Sequence, residues 1–180
     1  WNDPTYTACN GKTKRWVLPI QVSAPFASTR PRAITAMDTI EAKLGYTLFD
    51  RTNLTASPAG GFAGIVFSDS GHSYLPPGWN GVSYDANVSA GPDLPNWPSA
   101  SLTAGCEISA AVYVNLDNPI RTVNADIVVH EFGHALGLGS HFAGFGDGPA
   151  INADFWDALG TLYGAPAGTN AAAVAVVRVN

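Results

Sequence analysis

The 180-residue chain is poor in charged residues, with 13% against 46% hydrophobic, and it has two cysteines and one methionine. Lysine and arginine together number 9, and the formal net charge is −5. The one dense basic cluster, Lys12, Lys14 and Arg15, is smaller than the broad basic face that nucleic-acid binding requires, so no nucleic-acid partner is expected. No apolar run reaches the roughly 20 residues that span a bilayer, so no transmembrane segment is predicted.

The two cysteines, Cys9 and Cys106, form an even pair in a chain with 19 glycines and 13 prolines. Such a pair in a loop-rich chain is typical of one disulfide in an oxidising compartment, although two free thiols are an alternative. We therefore expect a disulfide between Cys9 and Cys106 and a secreted or otherwise extracytoplasmic location. The length and hydrophobic content favour one globular domain over residues 1–180.

Hydrophobic patterns predict an α+β fold, with a mixed twisted sheet packed on helices. Strands are predicted where β-branched and aromatic residues cluster, at 15–24, 46–52, 61–69 and 107–118. Pro19 within the first of these favours an edge strand or a bulge. Helices are predicted from Ser28 or Thr29 to Gly45, from about 124 to 137, and from about 152 to 163 with Asn152 as the N-cap.

The second predicted helix contains the sequence HEFGH, residues 130–134. Because residues four apart lie on one helix face, His130 and His134 present two imidazoles to one point. This spacing is typical of zinc sites in which three protein ligands leave one position for water. Glu131 lies beside that face, where its carboxylate can take a proton from the water and return it to the leaving amine. The pattern predicts a hydrolytic zinc centre with Glu131 as general base.

The segment HEFGHALGLGSH, residues 130–141, resembles the zinc helix of the metzincin metallopeptidases in its matrixin and snapalysin forms. The segment INADFWDALGTLYG, residues 151–164, resembles the matrixin C-terminal helix. The resemblance implies a single metallopeptidase catalytic domain and a zinc-dependent endopeptidase. Its substrate would be an extended peptide or protein held along an edge strand, for which residues 82–88 and 108–114 are candidates. We expect a monomer.

The third zinc ligand of the metzincin pattern falls on Ser140 in this chain, and a histidine, His141, comes one residue later. A neutral hydroxyl is a poor zinc ligand, whereas imidazole is a common one, so His141 is the expected third ligand. Asp147 is the next candidate and Ser140 the third. Three glycines are expected to let the chain turn back towards the metal: Gly133, Gly137 and Gly139.

Metzincins place a methionine beneath the zinc, but the only methionine here, Met37, lies on the first predicted helix. Phe142 or Phe145 would then form the floor of the site. His72 has no partner at ligand spacing and is expected to be a solvated loop residue. Calcium is possible, but the loop aspartates lack the spacing of a known calcium loop and are expected to be turn residues: Asp69, Asp85, Asp93 and Asp117.

Two other functions compete with the endopeptidase. One is a peptide- or protein-binding module on a metallopeptidase fold with weak or no catalytic activity, because the third ligand and the methionine have changed. The other is a zinc hydrolase of non-peptide amides. Glu131 favours an enzyme, since a purely structural metal site gains nothing from that carboxylate.

Overall fold

The computed structural model describes residues 7–59, 61–68, 87–90, 102–115, 125–138, 141–145 and 151–179. These residues form strands and α-helices with the following bounds: β1 Ile20–Ser23, α1 Arg30–Leu44, β2 Phe49–Asp50, β3 Ile65–Ser68, β4 Asn87–Ala90, β5 Val112–Asn115, α2 Ala125–Ala135 and α3 Ala153–Gly164. None of the helices in the described ranges is long and apolar enough to cross a membrane.

The five strands form one sheet in the order β2-β1-β3-β5-β4. Strands β2, β1, β3 and β5 are parallel to one another, and β4 pairs antiparallel with β5. Parallel neighbours need long crossover connections, and α1 supplies the one between β1 and β2. The predicted mixed α+β fold is confirmed at this level.

Two strand predictions are wrong. Of the two alternatives that Pro19 favoured, an edge strand or a bulge, the edge is wrong, because β1 lies between β2 and β3. Pro19 precedes the strand, so its missing N–H costs the sheet no ladder hydrogen bond. The candidate edge strand 108–114 is also wrong, since β5 lies between β3 and β4. Among the described strands, β4 lies at the end of the sheet beside β5, and it overlaps the other candidate, 82–88, at residues 87 and 88.

The helix ends follow local sequence signals. Gly45 ends α1 with φ of 80°, a left-handed conformation that glycine adopts without steric cost. Thr29 occupies the N-cap of α1, but its side chain makes no capping hydrogen bond. The side chain of Asn152 accepts a hydrogen bond from the Asp154 backbone N–H at 2.7 Å, which confirms Asn152 as the N-cap of α3.

Helix α2 is anchored to the sheet by Phe132, which is fully buried. Its ring centroid lies 5.3 Å from that of Phe49 and 4.8 Å from that of Phe67. Burying a phenylalanine contributes roughly 1.5–3 kcal/mol, so this contact fixes which face of α2 points to the core. Val128 and Val129, which precede the HEFGH motif, are buried as well. The two histidines of the motif lie away from Phe132 around the helix.

The disulfide between Cys9 and Cys106 is confirmed, with a Cα–Cα distance of 5.6 Å and a sequence separation of 97. Closing so long a loop restricts the unfolded chain strongly. We expect the Cys9→Ala, Cys106→Ala variant to lose about 4 kcal/mol of unfolding free energy, and roughly 10 °C in unfolding temperature. Alanine suits both positions because both side chains are buried.

Denaturant unfolding of both proteins, with and without a reductant, would check this expectation. Reductant should lower the stability of the wild type to that of the variant and leave the variant unchanged. Equal stability of the oxidised wild type and the variant would contradict it. The disulfide fits an oxidising compartment, while the extracytoplasmic location stays a prediction.

Candidate metal centre

The structure brings three of the predicted ligands together. The Nε2 atom of His141 lies 3.2 Å from Nε2 of His130 and 3.2 Å from Nε2 of His134. All three residues offer a ring nitrogen within 4.8 Å of the others. Two nitrogens bound to one zinc at about 2.0 Å with tetrahedral angles are about 3.3 Å apart. The separations in the cluster therefore suit a single metal ion of that size.

A metal ion would bring three imidazole nitrogens together more fully than hydrogen bonds between the rings can. Each neutral imidazole has one N–H and one lone pair, and two lone pairs at hydrogen-bond distance repel each other. A proton on one nitrogen can be shared with its neighbours only in part, whereas a metal ion accepts a lone pair from all three rings. An all-imidazole set suits zinc, copper, iron and nickel, so the three histidines could hold any of these ions.

The site combines a rigid helix with a connecting segment. His130 and His134 lie on α2, with ring centroids 5.0 Å apart, and His141 follows in the segment after the helix. His130 is buried, with 6% of its surface exposed, whereas His141 is exposed. A bound metal ion would thus lie between the buried helix and the protein surface, within reach of solvent.

The end of α2 turns the chain back towards the cluster. Leu138 donates its N–H to the Gly133 carbonyl at 3.0 Å, and Gly137 donates to the His134 carbonyl at 2.9 Å. These two bonds form a Schellman motif, which requires a left-handed residue at Gly137, where φ is 114°. A Cβ at Gly137 would also lie 2.8 Å from the Lys14 carbonyl oxygen. The turning role predicted for Gly137 is confirmed.

The Schellman motif also sets the protonation of His134. The Nδ1 atom of His134 lies 2.8 Å from the Leu138 carbonyl oxygen, which can only accept, so Nδ1 carries the hydrogen. Nε2 then presents its lone pair to the cluster, as a metal ligand must. Burial lowers the pKa of His134 and His141 lowers it further, against the opposing effect of the Leu138 bond. The neutral ligand form is therefore favoured.

Two buried aromatic side chains bind the carbonyls of the last residue of α2 and of the residue that follows it. Trp16 donates from Nε1 to the Ala135 carbonyl at 2.8 Å, and Tyr163 donates from its hydroxyl to the Leu136 carbonyl at 2.9 Å. Burial raises the pKa of Tyr163 far above its usual value, so its hydroxyl remains a donor. Sequence reasoning missed both residues, since no local pattern connects Trp16 or Tyr163 to the HEFGH segment.

Glu131 lies next to His130 on α2 and is partly buried. Burial raises the pKa of its carboxyl group to about 7. A bound cation opposes this shift because it favours the charged carboxylate. Within the described residues the metal-binding cluster consists of the three histidines alone, so the Glu131 carboxylate is outside the ligand set.

Phe145 lies beneath the imidazoles and is fully buried. Its ring centroid is 4.4 Å from that of His130, 4.6 Å from that of His134 and 5.5 Å from that of His141. Phe142, the other candidate for the floor, is 36% exposed and lies 5.4 Å from Phe145. Phe145 is therefore the floor residue, and Met37 lies in the core on α1.

The expected turning role of Gly133 is wrong, because Gly133 lies inside α2. A Cβ at this position would lie 2.6 Å from the Phe155 ring and 3.1 Å from the Phe145 ring. Gly133 therefore provides the space that the two rings occupy under the helix. The remaining sequence candidates lie outside the described residues: Ser140, Asp147, His72, Gly139, Asp69, Asp85, Asp93 and Asp117.

No family model matches the chain, and no curated protein matches it in sequence. The metzincin resemblance of residues 130–141 therefore rests on the sequence motif alone.

Proposed function

We propose that the chain is a zinc-dependent endopeptidase of metzincin type, with His130, His134 and His141 as the metal ligands. The observation that carries this proposal is the convergence of three imidazole nitrogens beside Glu131. Structural zinc sites are closed by four protein ligands, whereas catalytic sites have three and an open position. The described residues supply three ligands, with the exposed His141 on the solvent side.

The residues of the chain fit peptide hydrolysis step by step. Zinc, when bound, lowers the pKa of water and polarises a carbonyl group. Glu131 accepts a proton from the attacking water while the new bond forms between the water oxygen and the carbonyl carbon. Glu131 then gives that proton to the amide nitrogen as the carbon–nitrogen bond breaks, which releases a carboxylic acid and an amine.

The position of β4 supports an extended peptide as the substrate. Among the described strands β4 is at the end of the sheet, and α2, which carries His130 and His134, packs against β4 and β5. An end strand presents backbone N–H and C=O groups with which an extended chain can pair. A substrate added to β4 would run close to the metal-binding helix.

Hydrolysis of an unfolded, reduced protein before and after chelation tests this function. We expect cleavage by the purified protein, loss of more than about 90% of the rate after chelation, and recovery on adding one equivalent of Zn²⁺ but not Mg²⁺, since imidazole ligands disfavour Mg²⁺. Cleavage that resists chelation would contradict the metal mechanism. Zinc binding without cleavage would favour the binding module, and hydrolysis of small amides alone would favour the amide hydrolase.

A further inference from the structure

We propose that the turn 142–145, held by the N-terminus of α3, positions the metal centre: it fixes the third ligand, His141, and places Phe145 against all three imidazoles. This inference rests on the metal-binding part of the proposed function and not on peptidase activity. It makes Phe145 and Asn152 positioning residues, although neither is a metal ligand.

The turn is closed by two backbone hydrogen bonds. Phe142 donates its N–H to the Phe145 carbonyl at 2.9 Å, and Phe145 donates to the Phe142 carbonyl at 2.8 Å. His141 directly precedes this pair and lies outside any helix or strand. Its backbone position therefore follows from where the turn is held, whereas the positions of the other two ligands follow from α2.

The turn is held by the start of α3. Asn152 donates its backbone N–H to the Gly144 carbonyl at 3.2 Å, and Phe145 forms a β-bridge with Ile151. Gly144 has φ of 91°, and a Cβ there would lie 2.0 Å from Oδ1 of Asn152. The same oxygen accepts the hydrogen bond from the Asp154 N–H that caps the helix. The Asn152 side chain therefore both caps α3 and packs against the turn.

The Phe145 ring connects the turn 142–145 to all three imidazoles. It contacts the imidazoles on one side and lies 5.2 Å from the Phe155 ring of α3 on the other. The close approach of both rings to Gly133 leaves no room for the floor to move towards α2. In a close-packed core, a ring enclosed in this way resists displacement, so the imidazoles rest on a fixed surface.

Metal affinity should therefore depend on residues that do not touch the metal. Groups that orient metal ligands typically change the affinity about 10- to 100-fold when they are removed. For Phe145→Leu, which retains an apolar side chain but loses the ring, we expect zinc binding at least about tenfold weaker. Phe142→Leu is the matched control, because it makes the same change in the same turn on the exposed ring. We expect it to bind zinc within about threefold of wild type.

The test measures Zn²⁺ affinity by competition with a chromophoric chelator and records the visible absorption of the Co²⁺ forms. The Co²⁺ spectrum reports the ligand geometry, which a loss of stability alone would not change in a folded protein. Circular dichroism establishes folding of each variant. Weaker binding and an altered Co²⁺ spectrum for folded Phe145→Leu, with both unchanged for Phe142→Leu, would support the inference.

Asn152→Ser provides a second measurement if Phe145→Leu does not fold. Serine is as good an N-cap as asparagine, so α3 remains capped and the backbone hydrogen bond to Gly144 is retained, while the packing of the Asn152 side chain against Gly144 is lost. Weaker metal binding with an altered spectrum supports the inference. Unchanged affinity and spectrum in the folded variants would overturn the inference alone, since the wild type would still bind metal. A wild type that binds neither ion would overturn the proposed function as well.

Discussion

A Glu131→Gln variant is expected to hydrolyse peptides about 10²–10⁴ times more slowly than the wild type and to bind zinc with unchanged affinity. The amide has the size of the carboxyl group but cannot accept the proton of the attacking water. The loss corresponds to roughly 3–5 kcal/mol of transition-state stabilisation. The three histidines remain in place, so the metal site itself is preserved. Turnover of an unfolded protein and zinc stoichiometry, measured on the same sample, would check both parts.

The change at Glu131 should leave the fold intact. Burial raises the pKa of this carboxyl group to about 7, because the charged carboxylate is less stable in the folded protein than in water. A neutral glutamine has no such desolvation cost. Asp126→Asn is the matched control, because it makes the same chemical change on an exposed residue in the first turn of α2. It should hydrolyse peptides within about twofold of the wild type, with at most about 1 kcal/mol of lost stability at the helix N-terminus. Full chelator-sensitive activity in Glu131→Gln would show that another group is the base.

The helices were predictable because local chemistry sets their ends. Gly45 ends α1 and Asn152 caps the start of α3, each through backbone contacts within one helical turn. Both were identified from the sequence. The helix predicted at about 124–137 is observed as Ala125–Ala135, because its end continues into the Schellman turn at Gly137.

The strands were less predictable because their limits depend on distant partners. The segment 107–118 has a continuous strand-like pattern, but of its described residues, 107–115, only Val112–Asn115 form the β5 ladder with β3 and β4. Pro19 indicated an edge strand or a bulge because proline disrupts a ladder, yet the ladder of β1 begins at Ile20. The sequence offered 82–88 as an edge-strand candidate, whereas the described strand β4 is Asn87–Ala90 and overlaps that candidate at residues 87 and 88.

In the candidate site, too, the features set by local sequence were predictable and those set by distant contacts were not. The HEFGH spacing predicted the two helical ligands because a helix has a fixed period. The sequence also left two aromatic residues as candidates for the floor, Phe142 and Phe145. The hydrogen-bonded turn decides between them, because it directs Phe145 inward and leaves Phe142 at the surface. Trp16 was not predictable as a cap of α2, since its partner Ala135 is 119 residues away.

Removal of the third ligand should have the largest effect on metal binding. In a His141→Ala variant only His130 and His134 remain to hold the ion, so we expect zinc affinity to fall by more than about 100-fold, beyond the range for groups that only orient a ligand. Peptide hydrolysis at one equivalent of zinc should fall below detection. Since His141 is exposed, alanine at this position should not lower the stability of the metal-free protein.

Three control variants separate loss of a ligand from loss of any polar side chain. His72→Ala removes the one histidine outside the cluster, and Ser140→Ala and Asp147→Ala remove the other two candidate third ligands. All three should keep zinc affinity and hydrolysis within about threefold of wild type. If His141→Ala kept its zinc and Asp147→Ala lost it, the third ligand would be a carboxylate. A two-histidine, one-carboxylate centre also suits catalytic zinc. That outcome would preserve the proposed reaction but assign the 3.2 Å separations at His141 to hydrogen bonds between imidazoles.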